Sequence, residues 1–155
     1  MAYGFSISLN AGFDEVIGRV TDALKTQGFG VLADIDVAGT LKAKIGVDKR
    51  PYRILGACNP QLANRALDAD PDIGLLLPCN VVVRDDGDGK VTVGFMDPQA
   101  VLGLVERDAS VNSPARYAAA WRPFATRWPR AEACRPVRQR RGQGGFPARA
   151  NARAP

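Results

Sequence analysis

Residues 52–83, YRILGACNPQLANRALDADPDIGLLLPCNVVV, change local pattern repeatedly within a short length, and the rest of the chain is organised around them. A short apolar run ends near Gly56. Asn59-Pro60 then opens a helix, because Asn accepts from unpaired amides and Pro suits the first helical turn. Leu62, Ala63, Ala66 and Leu67 recur at helical spacing up to the Asp70-Pro71 breaker, which predicts a helix of about ten residues. Residues 73–77 and 81–83 are continuous apolar runs and read as buried strands. Pro78 interrupts them, and since proline cannot donate to a ladder it predicts an edge, a bulge or a bend.

The flanking sequence alternates in the same way. Residues 3–9 place Tyr, Phe, Ile and Leu at every second position, the pattern of a strand with one buried face. Residues 14–27 set Val16, Ile17, Val20, Ala23 and Leu24 at helical spacing, with Asp14 and Glu15 in the first turn and Gly28 as the stop. Residues 29–35 read as a second strand. Asp36 caps a short helix with Val37, Leu41 and Ile45 on one face, ended by Gly46. Asp85-Asp86-Gly87-Asp88-Gly89 predicts a tight hairpin turn, and Asp97-Pro98 predicts a short helix through Leu104.

The paired motifs ACNP and LLPCNV, set in RPYRILGACNPQLANRALDADPDIGLLLPCNVVV with GFGVLADIDVAGTLKAKIGVD before and VTVGFMDPQAVLGLV after, resemble the bacterial and archaeal domain of unknown function 302 family (DUF302). The resemblance runs from about Tyr3 to Val105. It implies an α+β domain with a helix-backed, mainly antiparallel sheet of the TATA-binding-protein-like class, assembling as a homodimer. It implies no established activity.

Charge divides the chain. Residues 1–107 hold 11 Lys+Arg against 14 Asp+Glu, a balance of −3, whereas residues 108–155 hold 10 Arg against 2 acids, a balance of +8. The overall +5 therefore describes a tail and predicts no specific nucleic-acid face on the domain. Three cysteines without a signal-like start point to a reducing cytoplasm. No apolar run approaches the roughly 20 residues that span a bilayer, so no membrane partner is expected. The absence of histidine removes the usual general base and the commonest metal ligand. Neither a metal nor another cofactor is expected.

The candidate chemistry rests on two Cys-Asn pairs. Cys58 stands just before a helix start, where the helix dipole favours a thiolate. Cys79 lies where a strand is interrupted. The leading expectation is a cleft lined by Cys58, Asn59, Cys79, Asn80 and Arg53 that binds a small molecule. One alternative is a thiol-dependent or sulfur-handling enzyme using Cys58 and Cys79, and another is a structural dimerisation module. The plain reading of both cysteines is that they fill space, Cys being among the most buried residue types. A spacing of 21 residues between them, with no further Cys or His nearby, is unlike a structural zinc site. The DDGDG turn lacks the alternating ligands and closing Glu of a calcium loop.

From Asp108 the composition shifts: 48 residues contain no Leu, Ile or Lys but 12 Ala, 10 Arg and 6 Pro. Such a segment has little to bury and is expected to be irregular, outside a domain of residues 1–107. Arg, Ala and Pro enrichment also arises when a GC-rich gene is read out of frame. The other reading is an Arg-rich tail that meets polyanions without specificity.

Overall fold

Strand β1 (Ala2–Asn10) sends Phe5, Ile7 and Leu9 to one side and Gly4, Ser6 and Ser8 to the other in the computed structural model of the chain, which describes residues 2–97 and 132–138. Helix α1 (Phe13–Thr26) follows, with Val16, Val20 and Leu24 one turn apart and fully buried. Burying each is worth about 1.5–3 kcal/mol, so this stripe fixes which face of the sheet the helix covers. The helix ends as its sequence predicts. Gly28 takes a φ of 76°, its N–H donates to Lys25 O, and the Phe29 N–H donates back to Leu24 O, the two bonds of a Schellman cap. Phe29 then enters the core.

Strand β2 (Gly30–Asp36) leads into helix α2 (Val37–Ile45), where Asp36 accepts from the Gly39 N–H at 2.9 Å and Gly46 closes with a φ of 68°. Strand β3 (Tyr52–Cys58), helix α3 (Pro60–Ala69) and a 3-10 helix, Pro71–Leu76, come next. Strands β4 (Cys79–Gly87) and β5 (Lys90–Met96) form the predicted hairpin. Asp88 and Gly89 both have positive φ, 54° and 71°, the type I′ turn whose twist matches the strands. Strand β6 (Glu132–Arg138) completes a six-stranded sheet in the order β2-β3-β4-β5-β1-β6. Every neighbouring pair is antiparallel. The helix-backed, antiparallel α+β architecture expected from the sequence is the one observed.

The core lies between α1 and one face of this sheet. Leu55 and Ala57 from β3, Cys79, Val81 and Val83 from β4, and Val91, Val93 and Phe95 from β5 join Ile7 and Leu9 there. Phe5 and Phe95, opposite each other in register, stack with centroids 5.1 Å apart.

Several expectations need correction. The apolar run 73–77 is not a strand but belongs to the 3-10 helix. Asp70 caps it by accepting from the Asp72 N–H at 3.0 Å, Pro71 opens it, and only Ile73 is buried while Leu75 is 88% exposed. Pro78 does not interrupt a strand. It precedes Cys79, the first residue of β4, and so takes no ladder position in this inner strand. Helix α2 buries none of its residues, and Ile45 is 65% exposed. Within the segment expected to be irregular, residues 132–138 pair with β1. An edge strand is held by backbone bonds and needs no Leu or Ile, and Pro136 is tolerated at such an edge. The predicted helix from Pro98 lies outside the described residues, as does the remainder of residues 108–155.

Candidate functional site

Strand alternation separates the two cysteines. Cys79 pairs with Ala57, and both side chains enter the core. Cys58, one residue on, belongs to the opposite face, where it pairs with Gly30 at half-burial. The two thiols therefore do not converge on one site, and neither forms a disulfide. Burial pushes the Cys58 thiol above its ordinary value. Asn59 is occupied as the N-cap of α3, its Oδ1 accepting from the Leu62 N–H at 3.2 Å. Arg53 pairs with Asp34 at 3.4 Å at the β2–β3 edge. Of the five residues singled out in the sequence, Asn80 lines a cleft, and Cys58, Asn59, Cys79 and Arg53 are not among its lining residues.

The residues just before the two Cys-Asn pairs pack against each other. Gly56 must lack a side chain because a Cβ there would stand 2.7 Å from Pro78 Cγ and 3.4 Å from Ala33 Cβ. The proline ring thus seats on β3 just before Cys79 enters the core, and Asn59 starts α3 directly after the same end of that strand.

The cavity lies on the sheet face opposite α1. Register sets three rows across it: Tyr52, Arg84, Thr92 and Ser8; then Ile54, Val82, Gly94 and Ser6; then Gly56, Asn80 and, on the far strands, Met96 and Gly4. Gly94 and Gly4 leave the sheet surface bare between Val82 and Met96. The result is an open cleft of about 320 Å³ with an apolar floor. Tyr3, Tyr52, Asn80 and Arg84 stand at its margins. This volume is at the small end of the roughly 300–1,000 Å³ typical of ligand pockets.

A chain of hydrogen bonds organises the Arg84 end. Ser8 Oγ and Thr92 Oγ1 lie 2.8 Å apart, Thr92 Oγ1 donates to Asp86 Oδ2 at 2.5 Å, and Arg84 Nε donates to Asp86 Oδ1 at 2.7 Å. Thr92 is 2% exposed, so its hydroxyl is a fixed point in the sheet. Burial pushes the Asp86 carboxyl up, but the bonds from Thr92 and Arg84 and the charges of Arg84 and Lys90 outweigh it and hold the group below the usual carboxylate range. The Arg50 guanidinium reaches the Asp86 carbonyl and braces the same hairpin.

Tyr3, Tyr52, Arg84 and the bare glycines were not apparent as a group in the sequence. The available signal was the period-two alternation Asn80, Val82, Arg84 on β4, which puts two polar side chains on one face around a valine. Among the described residues no cluster of Cys, Asp and Glu is placed to hold a metal ion, and no helix is long and apolar enough to cross a membrane.

Comparison with known proteins adds a family and a fold. The family model described as domain of unknown function DUF302 matches residues 5–120. The crystal structure of an uncharacterized conserved DUF302 protein from Bacillus stearothermophilus is similar, with a TM-score of 0.70 and 31% sequence identity. The alignment covers 79% of this chain and 94% of that one. No curated protein matches.

Proposed function

This chain belongs to the DUF302 family, and from that premise we propose that it is a binding module for a small molecule, held in the cleft of the sheet face opposite α1. The observation that carries this reading is the combination of an apolar floor, made by Val82, Met96 and the bare Gly94, with the hydrogen-bonding side chains of Tyr52, Asn80 and Arg84 on the same sheet face. That is the composition of a site that holds an apolar body and orients it by a few polar contacts. The raised thiol of Cys58 and the core position of Cys79 weigh against a thiol enzyme.

Filling the floor tests the reading. A Cβ on Gly94 would meet only Val82 Cβ, at 3.9 Å, so Gly94→Val fits the strand while occupying the cleft. Saturable fluorescence enhancement of N-phenyl-1-naphthylamine by the native chain, lost in Gly94→Val at unchanged stability, is the expected result. Equal binding by both proteins removes the cleft as the site.

A homodimer is the second reading. Strand β2 is an edge of the sheet, and it exposes Leu32 at 69% and Ile35 at 50%. An exposed apolar edge invites strand pairing with a second copy. Light scattering on Leu32→Asp is expected to give one chain mass where the native protein gives two. A native mass of one chain at micromolar concentration removes this reading.

A further inference from the structure

Resting on the cleft reading, we infer that the ligand is a small amphiphilic carboxylate whose anionic head is taken by Arg84. Among the described residues that line the cleft, Arg84 is the only charged one. It stands there although residues 2–97 are acidic on balance, with 10 Lys+Arg against 13 Asp+Glu. A guanidinium at the margin of an apolar floor, on an acidic domain, offers donors that an anion can accept.

The way Arg84 is held decides what it can do. A guanidinium carries five N–H donors in a planar fork. Arg84 uses Nε on Asp86, and its Nη1 and Nη2 atoms make no bond to a described residue. Asp86 is anchored in turn by Thr92, which adjoins Ser8 on the next strand. The arginine is therefore fixed by one edge, and its terminal nitrogens are left to bind a second carboxylate in the bidentate manner that guanidinium favours. Asp86 offsets the arginine's charge, so recognition rests on directed donors more than on net attraction. A phosphate dianion is accordingly a poorer fit than a monocarboxylate, because its second charge meets Asp86.

The far end of the cleft sets the ligand's length. Asn80 lies four residues from Arg84 along β4, about 13 Å in an extended strand. Its amide makes no bond to a described residue, and Tyr3 stands on the same side. The fitting ligand thus has a carboxylate at one end, a flat apolar body over Val82 and the bare Gly94, and room for one hydrogen-bonding atom at the other.

The test compares 2-naphthoate with 2-naphthamide, the same ring with a neutral head, by amide chemical-shift titration of the full chain at neutral pH. Naphthoate is expected to bind about tenfold more tightly, the ratio of one part-exposed charge-assisted pair. In Arg84→Gln that preference disappears while naphthamide binding stays. Equal affinities in the native chain, or a preference that survives Arg84→Gln, overturn the carboxylate assignment but leave the cleft standing. If neither compound shifts the Asn80 and Gly94 amides, both the assignment and the cleft reading fall. Should Arg84→Gln not fold, the native-chain comparison alone decides.

Discussion

Gly56 is the position at which a single added methyl group should do most harm. An alanine Cβ there would meet Pro78 Cγ at 2.7 Å, closer than real Cβ contacts come, with Pro78 Cβ at 3.5 Å and Ala33 Cβ at 3.4 Å. The proline ring cannot rotate aside as a flexible side chain would, so relief requires movement of β3 against the entry to β4. Overpacking of this kind costs about 1–3 kcal/mol. Against it stands about 0.4–1 kcal/mol from the lost freedom of glycine in the unfolded chain. Gly56→Ala is therefore expected to destabilise by roughly 1–2 kcal/mol, or about 4–8 °C of Tm per kcal/mol in a domain this size. Pro78→Ala removes Cγ and leaves the contacts to Pro78 Cβ at 3.5 Å and Ala33 Cβ at 3.4 Å, both of ordinary van der Waals length. In that background Gly56→Ala should cost almost nothing, which gives a coupling of about 1–2 kcal/mol in a double-mutant cycle. Urea unfolding followed by far-ultraviolet circular dichroism measures all four proteins. A cost for Gly56→Ala that is the same with and without Pro78 would refute the seating of the ring on β3.

Three further outcomes follow from local chemistry. Asn59→Ala removes the α3 cap and should cost about 1 kcal/mol of unfolding free energy, with Asn59→Asp retaining most of it. Cys58 should react with iodoacetamide more slowly than a free thiol at pH 8, and because its folded pKa is raised, any stability it lends is complete below the unfolded thiol value and is lost as pH rises through the folded one. Asp86 has the opposite sign: its folded pKa is lowered, so its contribution is present above the unfolded carboxylate range and fades as pH falls through the folded value. Asp86→Asn should flatten the stability curve in that acid window, and an unchanged curve would remove the Thr92 and Arg84 bonds as its cause.

Local signals located most of the fold. Gly28, Asp36, Gly46, Asn59-Pro60 and the DDGDG turn each act within a few residues of themselves, and each stands where those rules place it. The run at residues 73–77 misleads because a short apolar stretch has no period long enough to separate strand from turn. Its Asp70-Pro71 start, a cap followed by a proline, was the better guide. The cleft was harder to see for a different reason. Its residues come from four strands and meet only through register, and Gly4 and Gly94 contribute to it by lacking side chains. Cys58 and Cys79 drew attention by their chemistry, yet one step of strand alternation sends them to opposite faces.

The position of β1 inside the sheet has a consequence for how the chain acquires its structure. Strands β2 to β5 lie side by side in sequence order, so each pairs with its sequence neighbour, through α2, through α3 and the 3-10 helix, and through the tight hairpin turn. Strand β1 is made first but pairs with β5, as in the Ser8–Thr92 contact across 84 residues, and on its other side with β6. Contacts so distant in sequence carry the largest loop-closure cost and form late. During synthesis at about 5–20 residues per second, the opening strand waits several seconds for its partner β5 to leave the ribosome. Its alternation of Phe5, Ile7 and Leu9 with Gly4, Ser6 and Ser8 is then a safeguard, because a segment apolar on only one edge survives that interval in water better than a continuous apolar run would.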